Sequence, residues 1–387
     1  MRSLPPQIFA LGIVSLFMDI ASEMVYPLLP LFLTGVLGAS QALVGLIEGV
    51  AEATASLTKV VGGRISDRVG RRKPLILLGY GLSPLVRPIL ALAQVPAQVL
   101  AARFVDRLGK GMRTAPRDAL IAEVTPQEQY GRAYGLHRGL DTLGATIGPL
   151  LAALLLPVLD YRGVFWISII PAVLSVLVIV IWVKESGGKA TPVAAWRWRG
   201  YSRSYWFFLA VVGIFTLGLS SNAFLLLHLQ ELGYSATQVT LIYAGYNLVY
   251  ALLAYPFGAL GDRVGLHRVV AGGFLVYGLV YLGFGLATTA LAGLVLMLFY
   301  AVYSAAFEGS TSAYLAELIP AEQKATAIGL YHTLVGILLF PASAIFGAIA
   351  TQFGMNLAFM VGAGLAFLAF LLFTIFRSTS LVKGASR

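Results

Sequence analysis

The stretch "ARFVDRLGKGMRTAPRDALIAE", residues 102–123, sets Arg103, Arg107, Lys110, Arg113 and Arg117, with Asp106 and Asp118, among apolar residues. At about 100° per residue, positions 103, 106, 107, 110, 113 and 117 fall within about a third of a helix's circumference, while Phe104, Val105, Leu108 and Met112 lie on other faces. A lone charge at a bilayer centre costs at least ~2.5–3.5 kcal/mol on insertion scales. If this helix crosses a membrane, the stripe must therefore face water, carboxylates or an anionic ligand.

Carboxylates are spaced to meet it. Asp19 and Glu23 are one helical turn apart, as are Glu48 and Glu52, with Lys59 two turns further along, and His137, Arg138 and Asp141 cluster later in the chain. A buried carboxyl whose arginine partner is engaged in one conformation and released in another can take up and release a proton. Asp19, Glu23 and Glu52 are accordingly the expected proton-coupling residues. Arg103, Asp106, Arg107, Lys110, Arg138 and Asp141 are expected to line a substrate cavity, joined from the second half of the chain by Asn222, Asn247 and Glu308. Purely structural pairing competes with this for Asp106, Arg113, Arg117 and Asp118, and neutralisation of the stripe competes for Glu48 and Glu52. His228 and His332 read as local hydrogen-bonding residues, and Tyr243, Tyr246, Tyr250, Tyr300 and Tyr303 mostly as packing.

Composition fixes the medium. Of 387 residues 58% are hydrophobic and 11% charged, a balance that a polytopic membrane protein needs and a water-soluble globule does not. Cysteine is absent, which removes thiolate metal sites and cysteine nucleophiles. The first apolar run is too long for a signal-peptide core and contains carboxylates, so it reads as a span. With about 20 residues per crossing, apolar blocks fall near 8–34, 41–62, 74–93, 97–122, 130–156, 164–183, 206–229, 237–260, 268–287, 290–316, 325–350 and 356–376, giving twelve helices. Lys and Arg outside these blocks concentrate in 63–73, 184–205, 261–268, 317–324 and both termini, which the positive-inside rule places in the cytoplasm. The net charge of +10 is then largely topological, and no nucleic-acid partner is expected. The expected organisation is an all-α membrane protein: a six-helix bundle over 1–183, a cytoplasmic linker over 184–205, whose "WRWRGYSRSYW" reads as an interfacial belt, and a second six-helix bundle over 206–387.

The halves repeat. "GGRISDRVGRRK" at 62–73 recurs as "FGALGDRVGLHR" at 257–268, and "IAEVTP" at 121–126 as "LAELIP" at 315–320. These loops resemble the major facilitator superfamily signature G-x-x-x-D-R-x-G-R-R, carried here by Gly63, Asp67, Arg68, Gly70, Arg71 and Arg72, and in the second copy by Gly258, Asp262, Arg263 and Gly265 without the final basic pair. "RLGKG" at 107–111 resembles the superfamily's fourth-helix R-x-x-x-G. "GATIGPLLAA" at 144–153 is similar to its antiporter pattern G-x-x-x-G-P-x-x-G-G through Gly144, Gly148 and Pro149, with Ala152 and Ala153 in place of the last glycines.

The resemblance implies two pseudo-symmetric bundles and transport of a small solute by alternating access, with no cofactor. Arg68 and Arg263 are expected to reach Glu123 and Glu317 as a cytoplasmic gate. Gly135, Gly139, Gly144 and Gly148 are expected to permit close helix contact, with Pro149 bending the helix. The expected function is proton-coupled movement of a small organic solute, anionic or drug-like, leaning to efflux by antiport, in a monomeric, multi-pass inner-membrane protein. The rivals are organic-anion/proton symport, transport of a metal ion or iron chelate, and a non-transporting sensor. No enzyme is expected. "GKGMRT" lacks the spacing and preceding strand of a phosphate-binding loop, neither H-E-x-x-H nor G-x-S-x-G occurs, and no resident metal site is spelled out.

Overall fold

Pro27 and Pro30 fall inside the first apolar block, where a missing backbone donor breaks a helix. In the computed structural model, which describes residues 4–185, 201–319 and 324–384, that block is two helices, α1 (Pro6–Val25) and α2 (Leu29–Gly35). They are followed by α3 (Gln41–Val69), α4 (Lys73–Leu92), α5 (Pro96–Val124), α6 (Tyr130–Ile167) and α7 (Ile169–Trp182). The second half repeats the pattern with α8 (Arg203–Leu217), α9 (Asn222–Glu231), α10 (Ala236–Val264), α11 (Leu266–Leu286), α12 (Ala290–Glu317), α13 (Lys324–Phe353) and α14 (Met355–Gly384). Its first block is also broken, between Leu217 and Asn222, so the same span is discontinuous in both halves.

These helices correspond to the twelve blocks read from the sequence. Among the described residues nine helical stretches are long and apolar enough to span a membrane by themselves. One of the nine, Gln127–Trp182, contains two crossings joined at Asp160, whose φ of 60° and ψ of 175° break the helix. The strongly charged α3 and α5 fall short of that hydropathy because they carry the site described below. Gly70 and Gly265, matched in the repeated loops, both take positive φ, 68° and 92°, a conformation cheap for glycine at the turn that follows a long helix.

The chain divides into two packed units. The first contains Met1–Ala39, Val50–Ala195 and Tyr234–Asn247, and the second Ser40–Gly49, Trp196–Gly233 and Leu248–Arg387. They follow the two halves except that the start of α3 is packed with the second unit and the start of α10 with the first. Small residues allow this: in the second unit a Cβ on Gly45 would run into the Ser343 carbonyl oxygen, and one on Gly347 would lie 2.5 Å from that of Gln41. Within the first unit Ile8, Leu11, Val14 and Met18 of α1 pack with Tyr80, Leu120, Ala133, Ala172 and Ile179 into a buried core that supports the site below.

Candidate functional site

The site begins with the closeness of α1 and α6. A Cβ on Gly144 would lie 2.6 Å from the Leu16 carbonyl oxygen, and one on Gly148 2.8 Å from the Cβ of Glu23. Only a residue without a side chain allows this approach. It brings the carboxyl groups of Asp19 and Asp141 within hydrogen-bonding reach. Asp141 also accepts from Ser15 Oγ at 2.6 Å, and the exposed Arg138 stands 3.7 Å away, one turn along its own helix. Gly135 and Gly139 differ from the expectation. Nothing lies within 4 Å of where their Cβ atoms would be, so they mediate no helix contact.

The cationic stripe of α5 is turned inward. Arg103, Arg107 and Arg113 are buried, whereas Phe104 on another face is exposed. Arg107 Nη2 lies 3.9 Å from Glu52 Oε1, the Arg103 guanidinium is 5.7 Å from the centre of the Tyr26 ring, and that of Arg113 is 4.2 Å from the Tyr80 ring. Arg117 donates to Asp118 at 3.0 Å and to Ser15 at 3.3 Å. Asp19, Glu23, Arg103, Asp106, Arg107 and Lys110 line one small cavity, with Arg87 and Arg113 at its wall.

Arg87 is the functional candidate that sequence reasoning missed. It is 3% exposed and donates to the Ala21 carbonyl at 2.7 Å, Ser168 Oγ at 2.9 Å and Ser83 Oγ at 3.3 Å; Ser83 in turn donates to Asp106 at 2.7 Å. The signal was present, because Arg87 is the single charged residue of the block 74–93, and a lone ionisable group at membrane depth marks function by default. Tyr243 is one of the tyrosines read mostly as packing, a group in which one or two were open to lining the cavity. It lies in the part of α10 packed with this unit, is buried, and donates its hydroxyl hydrogen to Glu23. Glu23 Oε2 has no hydrogen-bond partner. Asn247, expected in the cavity, donates to the Ala145 carbonyl on α6 at 2.8 Å.

The first repeated loop forms a compact ionic knot. Sequence reasoning put Arg68 on Glu123, but Arg68 is exposed and Arg72 makes the contacts: Nε to Glu123 at 3.0 Å, and Nη1 to Asp67 and to Ser66 Oγ, both at 2.7 Å. Arg72 ends the loop at the first turn of α4, and its backbone amide donates to Glu185 at 2.8 Å, so the chain beyond α7 caps this helix. Burial opposes the charge on Arg72, but the hydrogen bonds to Asp67 and Glu123 outweigh it and hold its pKa above the ordinary value. In the second repeat Arg263 and Glu317 are exposed, and the surroundings of Gly258 and the side chains of Asp262 and Glu308 lie outside the described residues.

The second unit has a different chemistry. Tyr300 donates to Asn222 Oδ1 at 2.8 Å, Tyr277 to the Gly218 carbonyl at 3.1 Å, and the hydroxyls of Ser220 and Tyr281 are 2.7 Å apart, all beside the break between α8 and α9. Glu48, expected near the α5 stripe, is in this unit, where Ser221 Oγ lies 3.4 Å from its carboxylate. No group of three or more His, Asp or Glu able to hold a metal occurs among the described residues.

Comparisons with known proteins agree on the class. The sequence profile of the Major Facilitator Superfamily matches residues 11–227 and 206–385. An uncharacterised MFS-type transporter of Methanocaldococcus jannaschii is 33% identical over 381 residues, covering 96% of this chain and 95% of that protein. The multidrug resistance protein MdtH of Photorhabdus laumondii is 27% identical over 264 residues, 65% of this chain and 64% of its own. Among solved structures, a peptide transporter POT variant in complex with alafosfalin superposes with a TM-score of 0.82 at 15% identity, over 97% of this chain and 95% of that one.

Proposed function

Since this chain belongs to the major facilitator superfamily and is a multi-pass membrane transporter, we propose that it exchanges protons for a small drug-like organic solute, exporting the solute across the cell's inner membrane. The observation that carries this is the contact of Asp19 with Asp141. Two carboxyl groups held side by side away from water repel each other when both are ionised, and uptake of a proton by one of them relieves that repulsion. The pair is a proton site that meets the charged cavity through Asp19, with Lys110 and Glu23 facing it from that cavity and Arg117, His137 and Arg138 facing it from the Asp141 side.

Charge balance supports exchange. Arg87, Arg103, Arg107, Lys110, Arg113 and Arg117 stand against Asp19, Glu23, Glu52, Asp106, Asp118 and Asp141, six against six. One bound proton and one bound organic cation raise the charge of this network by the same single unit, so each can replace the other. Low-identity relatives named as multidrug resistance proteins fit this reading. A second reading rests on Arg103, Arg107 and Lys110 in the cavity wall: an anionic solute entering together with a proton also leaves the balance unchanged, which is symport.

The test is flux in proteoliposomes under an imposed pH gradient, with panels of cationic drugs and organic acids. Solute-dependent proton movement opposite to a cation supports antiport, and movement with an acid supports symport. A double variant Asp19→Asn, Asp141→Asn that still drives solute against its gradient with unchanged pH dependence would refute the proton site.

A further inference from the structure

A second proton is written into hydrogen-bond geometry far along the chain, at the end of α9. His228 is 2% exposed, with Nε2 3.1 Å from the Phe284 carbonyl oxygen and Nδ1 3.0 Å from Glu231 Oε2. A carbonyl oxygen only accepts, so Nε2 carries hydrogen. An ionised Glu231 also only accepts, and then Nδ1 carries hydrogen as well. If the ring were neutral, the carboxyl group would have to carry that hydrogen. In both cases the pair holds one proton more than a neutral imidazole beside a carboxylate. The other carboxylate oxygen accepts from Gln41 Nε2 at 2.8 Å, at the first residue of α3. Around the ring, α11 presents Phe284, α14 presents Phe359 and α3 presents Gln41, none of them titratable; Glu231 is the titratable group bonded to it.

We propose that His228 and Glu231 form a proton-binding site separate from the Asp19–Asp141 contact, and that its proton fastens the start of α3 to the end of α9. The imidazole, the stronger base of the two, holds the proton. When it leaves, a ring lone pair on Nδ1 faces a carboxylate oxygen at the same distance, and two acceptors repel. Glu231, half exposed, swings toward water and releases Gln41. The fastening is therefore present while the pair holds its proton, the state favoured by lower pH, and lost when the proton leaves. The opening turn of α3 is held in the second unit also by the Ala42 amide, which donates to Thr351 Oγ1 at 2.8 Å, so release of Gln41 loosens this end without detaching it.

Glutamine at 231 supplies the decisive variant, because its amide nitrogen can donate to Nδ1 of a neutral ring while its oxygen accepts from Gln41. The experiment uses the full chain in lipid nanodiscs, with its four histidines labelled with nitrogen-15 and His228 assigned through His228→Phe. In a pH series on the wild type both ring nitrogens of His228 should carry hydrogen at the acid end, and Nδ1 should have lost its hydrogen at the alkaline end. Hydrogen exchange of amides 42–45, corrected for the intrinsic effect of pH, should be several-fold faster at the higher pH. In Glu231→Gln the neutral ring with hydrogen on Nε2 should persist throughout, and the exchange difference should vanish. A wild-type ring that stays neutral over the whole range, or a Glu231→Gln variant that titrates like the wild type, overturns the proposal. Neither readout involves flux, so the outcome is independent of whether Asp19 and Asp141 carry the transported proton.

Discussion

Gly148 of α6 rests directly on Glu23 of α1: a methyl group at the glycine would lie 2.8 Å from the Glu23 Cβ and 2.8 Å from the Ile20 carbonyl oxygen. Backbone cannot yield to that contact, so Gly148→Val should force the helices apart. Overpacking of this kind costs about 1–3 kcal/mol, and the displacement should also separate Asp141 from Asp19. The expected result is a lower melting temperature in detergent together with loss of coupled flux. Gly139→Ala, with open space at its Cβ, should be silent or stabilising by up to ~1 kcal/mol through helix propensity. Equal behaviour of the two variants would remove the packing account.

Arg72, and not Arg68, should carry the loop. Arg72→Ala leaves Asp67, Ser66 and Glu123 without their shared donor, and a loss of about 1–3 kcal/mol is expected, reduced from that of a fully buried pair because Asp67 is half exposed. Arg68→Ala should cost within about 0.5 kcal/mol, as surface changes usually do. Because the folded pKa of Arg72 is raised, its contribution is complete throughout the pH range below the ordinary arginine value and lost only above it. Melting curves at mildly alkaline pH should therefore show the same gap between the two variants as those at neutral pH.

Arg87 and Asp106 are joined through Ser83, so their removal should not be additive. Arg87→Met alone leaves a buried acid short of its positive neighbour, a change that typically costs about 3–5 kcal/mol. Adding Asp106→Asn should restore part of that loss, with a coupling energy of at least ~0.5 kcal/mol in a double-mutant cycle on thermal stability. Simple additivity would mean that the serine bridge transmits nothing.

Asp160 holds φ at 60° in the turn between two crossings. At φ 60° and ψ 175° Asp160 occupies a region that essentially only glycine visits, at a cost of about 1–3 kcal/mol, so Asp160→Gly should be neutral or stabilising, and Asp160→Val should lower the melting point, since branching at Cβ worsens the clash. A valine variant as stable as the glycine one would show that the turn is not held in this conformation.

Much of this was legible in the residues alone, and the exceptions have physical causes. The twelve crossings follow from block length against bilayer thickness, and the inward stripe of α5 follows from helical periodicity. The carboxylates of α1 were findable because charge at membrane depth is expensive. Asp141, in contrast, was placed in the cavity and not against Asp19, since nothing in linear order says which turn of α6 meets which turn of α1. The glycines posed the same problem: four share one spacing, yet Gly144 and Gly148 touch α1 while Gly135 and Gly139 do not. Arg72 displaced Arg68 because the chain leaves the helix at Gly70, and that turn re-aims the residues after it. His228 looked ordinary until both of its ring nitrogens were seen to face acceptors.

The exchange of the starts of α3 and α10 between the two units reaches back to biosynthesis. Glu23 leaves the ribosome long before Tyr243, whose hydroxyl it accepts from in the finished protein, and chains emerge N-terminus first. The first unit thus cannot be completed when its own half has been translated, whereas the piece of α3 that belongs to the second unit has already emerged, and the nascent first half must shelter an unsatisfied acid until its missing piece arrives. Severing the gene at the linker should accordingly yield two fragments that mature only when expressed together.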